Sequence, residues 1–336
     1  MIQAPGSSTP AIVGSPRLDQ LQRALAAALP SASIQSAGAG RPLELSTPTE
    51  PPVLARAELV EDPVLRVHEP ESGSEPPFAA FLDGTQRSEL VGHVDEGIPV
   101  VSGIVAAAAR EWSDGAVTTW AHARRHRLYA PRLALASGTW EALGSLGVAT
   151  VDTSADAPEL AEAHPNAQRD AALKQVRSDR ETLELQLAHR WCGERSETLY
   201  VDGGLRGSEL LARAPQAVGV IKSHQTLYGD RAARRIIFEL GEGRRTSVFV
   251  VASSRRLPVA SWYLRLRAAG GDPLWGLVRV EIAHDPDATP ASVGARADAV
   301  SRRVLAERMP TAHPDARWHT MVYGIRDCEV FLKATQ

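Results

Sequence analysis

Two short apolar segments each run into an aspartate followed by glycine: Phe78-Ala79-Ala80-Phe81-Leu82-Asp83-Gly84-Thr85 and Thr198-Leu199-Tyr200-Val201-Asp202-Gly203-Gly204-Leu205. Aromatic and branched residues favour buried strands, and a glycine lets the backbone turn sharply just after each aspartate. Each carboxylate is therefore expected at a strand end. Carboxylates on adjacent strands repel one another unless a cation lies between them, and hard oxygen ligands suit Mg²⁺ or Mn²⁺. Asp-Gly is also a common hairpin-turn pair, so either copy alone reads more readily as a turn. The repetition is what points to a site.

At 336 residues the chain has room for one large domain or two ordinary ones. Its formal net charge of -3 argues against a protein that coats nucleic acid over its whole surface. A local basic groove remains open, because arginine doublets recur at Arg124-Arg125, Arg234-Arg235, Arg244-Arg245, Arg255-Arg256 and Arg302-Arg303. Each doublet reads equally well as an ordinary solvated face. No apolar run approaches the roughly 20 residues that cross a bilayer. Pro5, Gly6 and Ser7 stand where a signal peptide would begin, which predicts a cytoplasmic protein. Cys192 and Cys328 have no CxxC or histidine-rich neighbourhood and read as apolar fillers, not zinc ligands or a disulfide.

Residues 1–76 are rich in Pro, Ser, Gly and Ala around a helical patch with Leu18, Leu21, Leu25 and Leu29 on one recurring face. They read as a mobile or loosely packed arm before a domain at 77–336. Strands are expected at 77–83, 88–95 and 98–107, forming a meander. Ser137-Gly138 and the stretch from Asp152 to Pro165 read as loop or insertion. A helix is expected from about Asn166 to Cys192, with Leu173, Val176, Leu183, Leu187 and Trp191 near one stripe and Gly193 stopping it. The strand ending in Asp202 follows, then a short helix near 207–213 and strands at 217–222, 246–252, 259–267 and 276–283. Thr289-Pro290 supplies an N-cap and first-turn proline for a closing helix carrying Val293, Ala297, Val300 and Val304. This order describes an α/β domain with a mixed central sheet flanked by helices, and it matches the ribonuclease H-like fold.

The order and content of these motifs over residues 77–334 resembles the NurA family of nucleases. The resemblance is carried by Leu82-Asp83-Gly84-Thr85, Leu183-Glu184-Leu185, Val201-Asp202-Gly203-Gly204-Leu205, Val218-Gly219-Val220-Ile221-Lys222, Val278-Arg279-Val280-Glu281-Ile282, Arg317-Trp318 and Tyr323-Gly324-Ile325. It implies a ribonuclease H-like, metal-dependent exonuclease on DNA ends, with single-strand endonuclease activity. It also implies a homodimer, and a part in DNA end resection and recombinational repair alongside a HerA-type hexameric ATPase. Carried over position by position, it implies metal ligation by Asp83, Glu184 and Asp202, with Asp298 as the fourth candidate and Mn²⁺ or Mg²⁺ as the ion.

The residues also have their own logic. Two ions about 4 Å apart, bridged by carboxylates, can activate water, hold a scissile phosphate and stabilise the leaving oxygen. At about 100° per residue, Glu184 lies at the edge of the apolar stripe of its helix while Glu181 lies farther toward solvent, which favours Glu184. A surface pairing of Glu184 with Arg180 or Arg177 is the competing reading. Lys222 ends an apolar strand, and the resemblance implies a place near the site, where its ammonium could neutralise a nonbridging phosphate oxygen, unless it is a plain edge-strand lysine. His224 is a weaker neighbour of the same site. Glu281 reads as a partner of Arg279 or Arg265, not as a ligand. Asp298 either completes the site or pairs with Arg302 one helical turn on.

Overall fold

Leu82-Asp83-Gly84 does not end a strand. In the computed structural model, β1 (Ala80–Val94) runs straight through the motif and merges the first two expected strands into one. Gly84 keeps an ordinary strand conformation, in contrast to Gly203, whose φ of 139° makes the turn expected after Asp202. The structure describes residues 16–29, 53–56, 58–70, 73, 75–113, 115–253, 256–270, 272–308 and 320–335. Arg255, Arg317, Trp318 and most of the expected arm therefore lie outside the described residues.

β1 is followed by β2 (Ile98–Ser113) and β3 (Ala116–Ala130), joined by connections too short for a crossover, so the three run antiparallel. β4 (Leu199–Asp202) lies parallel to β1, and β5 (Ala217–Ile221) lies parallel to β4. The strand order 3-2-1-4-5 that results is the ribonuclease H-like one. The sheet continues antiparallel through β8 (Leu277–Ala283), β7 (Arg256–Arg265) and β6 (Phe249–Ser253). β7 and β8 contain the alternating runs expected at 259–267 and 276–283. β3 was not expected: its first half is a half-exposed mixture of polar and apolar residues without clean alternation.

The chain divides into two compact units. One comprises Met1–Ser46, Gln86–Val105 and Arg125–Ser178; the other comprises Thr47–Thr85, Ala106–Arg124 and Asp179–Gln336. In the first, helix α1 (Leu18–Ala28) sends Leu21 and Leu25 into a core with Val91, Val94, Val100, Leu128 and Leu143. The helical patch seen in the sequence thus has a packing partner. Ser137 opens helix α2 (Ser137–Gly144) where a loop was expected, because Thr139 and Leu143 find burial in that unit. Its N-terminal turn is tied by Asp95, which accepts from the Ala136 amide and the Thr139 hydroxyl at 3.0 Å each.

The second unit holds the carboxylate motifs. Its core joins Phe78, Phe81, Tyr200, Val218, Val220, Trp262, Val280, Ala297, Val300, Val304, Ile325 and Cys328. Helix α3 (Pro165–Glu194) contributes Leu183, Leu187 and Trp191, all buried. Two short helices flank β5 in the chain, α4 (Glu209–Arg213) before it and α5 (Arg231–Phe238) after it. Arg265 on β7 is wholly buried, and among the described residues its hydrogen bonds all go to carbonyl oxygens. Nε donates to Leu240 at 3.0 Å, Nη2 to Phe238 at 3.1 Å and to Pro273 at 2.9 Å, and Nη1 to Trp275. It thereby closes the C-terminal end of α5, whose last carbonyls have no partner within the helix.

Helix α6 (Pro290–Ala306) starts as the sequence indicates, with Thr289 accepting from the Ser292 amide and Pro290 in the first turn. Its Ser301 hydroxyl accepts from the Trp262 indole at 2.9 Å. Helix α7 (Tyr323–Ala334) lies against the first strands: Asp327 accepts from Arg110 at 2.6 Å, and the Cys328 thiol donates to the Phe81 carbonyl at 3.4 Å. No helix of the described residues is long and apolar enough to cross a membrane.

Gly324 is the point of closest approach of α7, since a β-carbon there would collide with the Phe81 ring. Replacing Gly324 with alanine gains helix propensity but overpacks this contact. The variant is expected to lose about 1–3 kcal/mol of stability, measured by urea unfolding; a stability equal to or above that of the parent would show that α7 does not seat on Phe81.

Candidate metal centre

The site begins with strand register. Leu82 stands opposite Val201, which places Asp83 beside Asp202 at the next position. Asp202 in turn stands beside Val220, and strand alternation puts Lys222 two residues on, on the same face. The geometry closes there: Lys222 Nζ donates to Asp202 Oδ2 at 2.8 Å. Asp83 accepts from the Gly84 amide at 2.7 Å.

Glu184 reaches the group from α3. A β-carbon on Gly84 would collide with Glu184 Oε1, so the glycine serves the carboxylate that lies over it and not a turn. This is the physical reason why the same dipeptide means different things at 83–84 and at 202–203. Arg180 holds Glu184 at 3.4 Å and Glu181 at 3.6 Å; the Glu181 side chain is 50% exposed against 19% for Glu184. The two readings of Glu184 are thus both present, as it pairs with Arg180 and also faces the strand motif.

Electrostatics bind the set together. Burial pushes the Asp83 carboxyl up to about 7; Asp202 adds to the rise, Lys222 and the Gly84 amide oppose it, and Glu184 adds again. Three of the sequence-derived residues, Asp202, Lys222 and Glu184, are thus within electrostatic reach of Asp83.

The turn after Asp202 is built by a residue the sequence did not assign to the site. Glu281, 1% exposed on β8, accepts from the Leu205 amide at 2.9 Å and from Arg279 at 2.5 Å. A β-carbon on Gly204 would sit 3.0 Å from Glu281 Oε2, so the second glycine of the motif makes room for this carboxylate. The expected pairing with Arg279 is present. His224 is turned away from chemistry, its Nε2 set 3.0 Å from the Leu277 carbonyl oxygen, and burial holds its imidazole below the usual value.

Asp298 does not join this group. Its carboxylate accepts from Arg245 at 2.5 Å, not from Arg302, and Arg245 is 1% exposed with a bidentate pair of 2.8 Å bonds to Glu61. Asp298 and Arg245 line a cavity with Glu61, Asp62, His68 and Arg302. The ligand atoms of Glu61, Asp62 and His68 all lie within 4.8 Å of one another, the only such trio among the described residues. Both Glu61 oxygens are engaged, by Arg245 and by the Val248 amide at 2.8 Å, and Asp62 is held by Ser247 at 2.6 Å and His68 at 2.7 Å. The arrangement ties the chain at 61–68 to residues 245–248. Sequence reasoning missed it because its partners lie some 180 residues away; the run Glu61-Asp62 was its one local sign.

The donor set of this group fits divalent metal: three carboxylates, one raised chiefly by its burial, with a glycine cradle that keeps Glu184 over the strand. Their ligand atoms do not all fall within 4.8 Å of one another.

No family model matches the chain, and no curated protein matches it in sequence. Among solved structures the chain is similar to the crystal structure of the NurA nuclease from Sulfolobus solfataricus. That match has a TM-score of 0.46 and 12% identity, over 79% of this chain and 81% of that one.

The raised Asp83 carboxyl makes a signed prediction for the metal-free protein. Between its unfolded value of 3.8 and its folded value of about 7, the native state keeps a proton that the unfolded state has released. Stability therefore falls as pH rises through this window, and the full penalty is present above it. In EDTA, Asp83→Asn is expected to be more stable than the parent at pH 8, by on the order of 2–4 kcal/mol of unfolding free energy in urea titrations, with the gap closing toward pH 4.5. A gap independent of pH would mean that burial and the neighbouring carboxylates do not raise Asp83.

Proposed function

We propose that the chain is a divalent-metal-dependent deoxyribonuclease. The observation that carries this reading is the meeting of Asp83, Asp202 and Glu184 with Lys222 where β4 and β5 end beside β1, in a ribonuclease H-like strand order. Asp83 and Asp202 would hold cations from the strands, and Glu184 would hold them from α3. Bound there, Mn²⁺ or Mg²⁺ supplies Lewis-acid polarisation of the scissile phosphate and lowers the pKa of the attacking water. Lys222 would neutralise a nonbridging phosphate oxygen, and Glu281 keeps the Asp202 turn in place by holding the Leu205 amide.

The motif resemblance supports a finer reading: an exonuclease on DNA ends with single-strand endonuclease activity, acting as a homodimer in end resection and recombinational repair. A site that takes single strands needs a device to feed duplex DNA into it. A HerA-type hexameric ATPase is the partner this reading requires, in a cytoplasmic setting.

Labelled single-stranded DNA is expected to release nucleotides only when Mn²⁺ or Mg²⁺ is present. Asp83→Asn and Asp202→Asn should each lower the rate by roughly 10²-fold or more, since the amide keeps shape but not charge. Asp298→Asn should stay within about threefold of the parent rate while losing stability, because it weakens a pair with buried Arg245. Full activity in the Asp202 variant, or activity unaffected by EDTA, would overturn the assignment.

A further inference from the structure

Lys222 makes a direct side-chain contact with a proposed metal ligand. Its Nζ lies 2.8 Å from Asp202 Oδ2, with side chains 20% and 21% exposed, so neither charge is fully screened by solvent. It follows directly on β5, whose Val220 flanks Asp202, and its flexible stem pivots from the strand end. Arg180 plays no such part for Asp202, since its guanidinium is committed to Glu181 and Glu184.

Resting on the metal-centre reading above, we propose that Lys222 is a charge latch on Asp202. It holds down the affinity of the centre for divalent metal until a nucleic-acid phosphate draws the ammonium away. The argument is electrostatic. An ammonium bonded to the Asp202 carboxylate repels any cation that the same carboxylate takes. A lysine ammonium is a compact, mobile point charge, so it leaves readily when a phosphate offers a better partner. A phosphate arriving at the strand ends does so by supplying negative charge beside Lys222. Asp202 is then released to the metal as the substrate is captured. By linkage the effect is reciprocal: phosphate raises metal affinity, and metal raises affinity for phosphate. A lysine that merely braced the strand end would behave differently, since removing it would leave metal affinity unchanged or lower it by loosening Asp202.

The test is calorimetric titration of the full-length protein with MnCl₂ alone, so that no turnover enters the reading. Lys222→Met is expected to bind Mn²⁺ about tenfold or more tighter than the parent, and Lys222→Gln, which keeps a polar end, should shift the same way. Asp202→Asn, with circular dichroism to confirm folding, should lose most of the heat. Parent binding with no tightening in either lysine variant overturns the latch and leaves the metal centre standing. Absence of Mn²⁺ binding in parent and variants alike overturns the centre, and the latch with it.

Discussion

Asp83 and Asp202 occupy neighbouring positions on adjacent parallel strands, and their repulsion is the constraint around which the second unit is arranged. Register alone makes them neighbours: once Phe81 pairs with Tyr200 and Leu82 with Val201, the next position is fixed. Burial raises the cost of that proximity, and it appears as the upward shift of Asp83. The surroundings offset it in specific ways. Lys222 places a cation on Asp202, the Gly84 amide points at Asp83, and Arg180 takes up Glu184. Core residues on the same faces, Phe81 and Tyr200, keep water out from below.

Removing water from carboxylates is destabilising unless something is gained by it. The gain consistent with this geometry is a site whose affinity for multivalent cations is set by crowding. Sheet and helix share the work of positioning. The two strands fix the spacing of their aspartates, α3 brings Glu184 across Gly84, and β8 supplies Glu281 to shape the turn beyond Asp202. None of these contributions is interchangeable, because each enters from a different element.

How far the sequence could be read depended on whether the cause was local. The strand–Asp202–Gly203 turn was legible, because a positive φ at Gly203 is a demand of the backbone itself. The same dipeptide at 83–84 was misread as a strand end, since Gly84 answers to Glu184, a hundred residues on. Thr289-Pro290 announced α6 correctly, yet the role of Asp298 was not decided by its helix position. Its partner Arg245 sits on another element and is itself shared with Glu61. Likewise Arg244-Arg245 read as a surface doublet, while Arg245 is wholly buried; sequence proximity says nothing about which of two neighbours faces inward. α7 escaped notice because its buried face, Gly324, Ile325, Cys328 and Leu332, is short and mixes small residues with large ones.

The two buried arginines of this unit differ in what they hold. Arg245 is tied to Glu61 and Asp298, whereas Arg265 is tied to carbonyl oxygens of α5 and of the 273–275 segment. Carboxylates bring a counter-charge to a buried guanidinium, whereas carbonyls only satisfy its donors. Charge thus anchors residues 61–68, while hydrogen bonds to the backbone close α5.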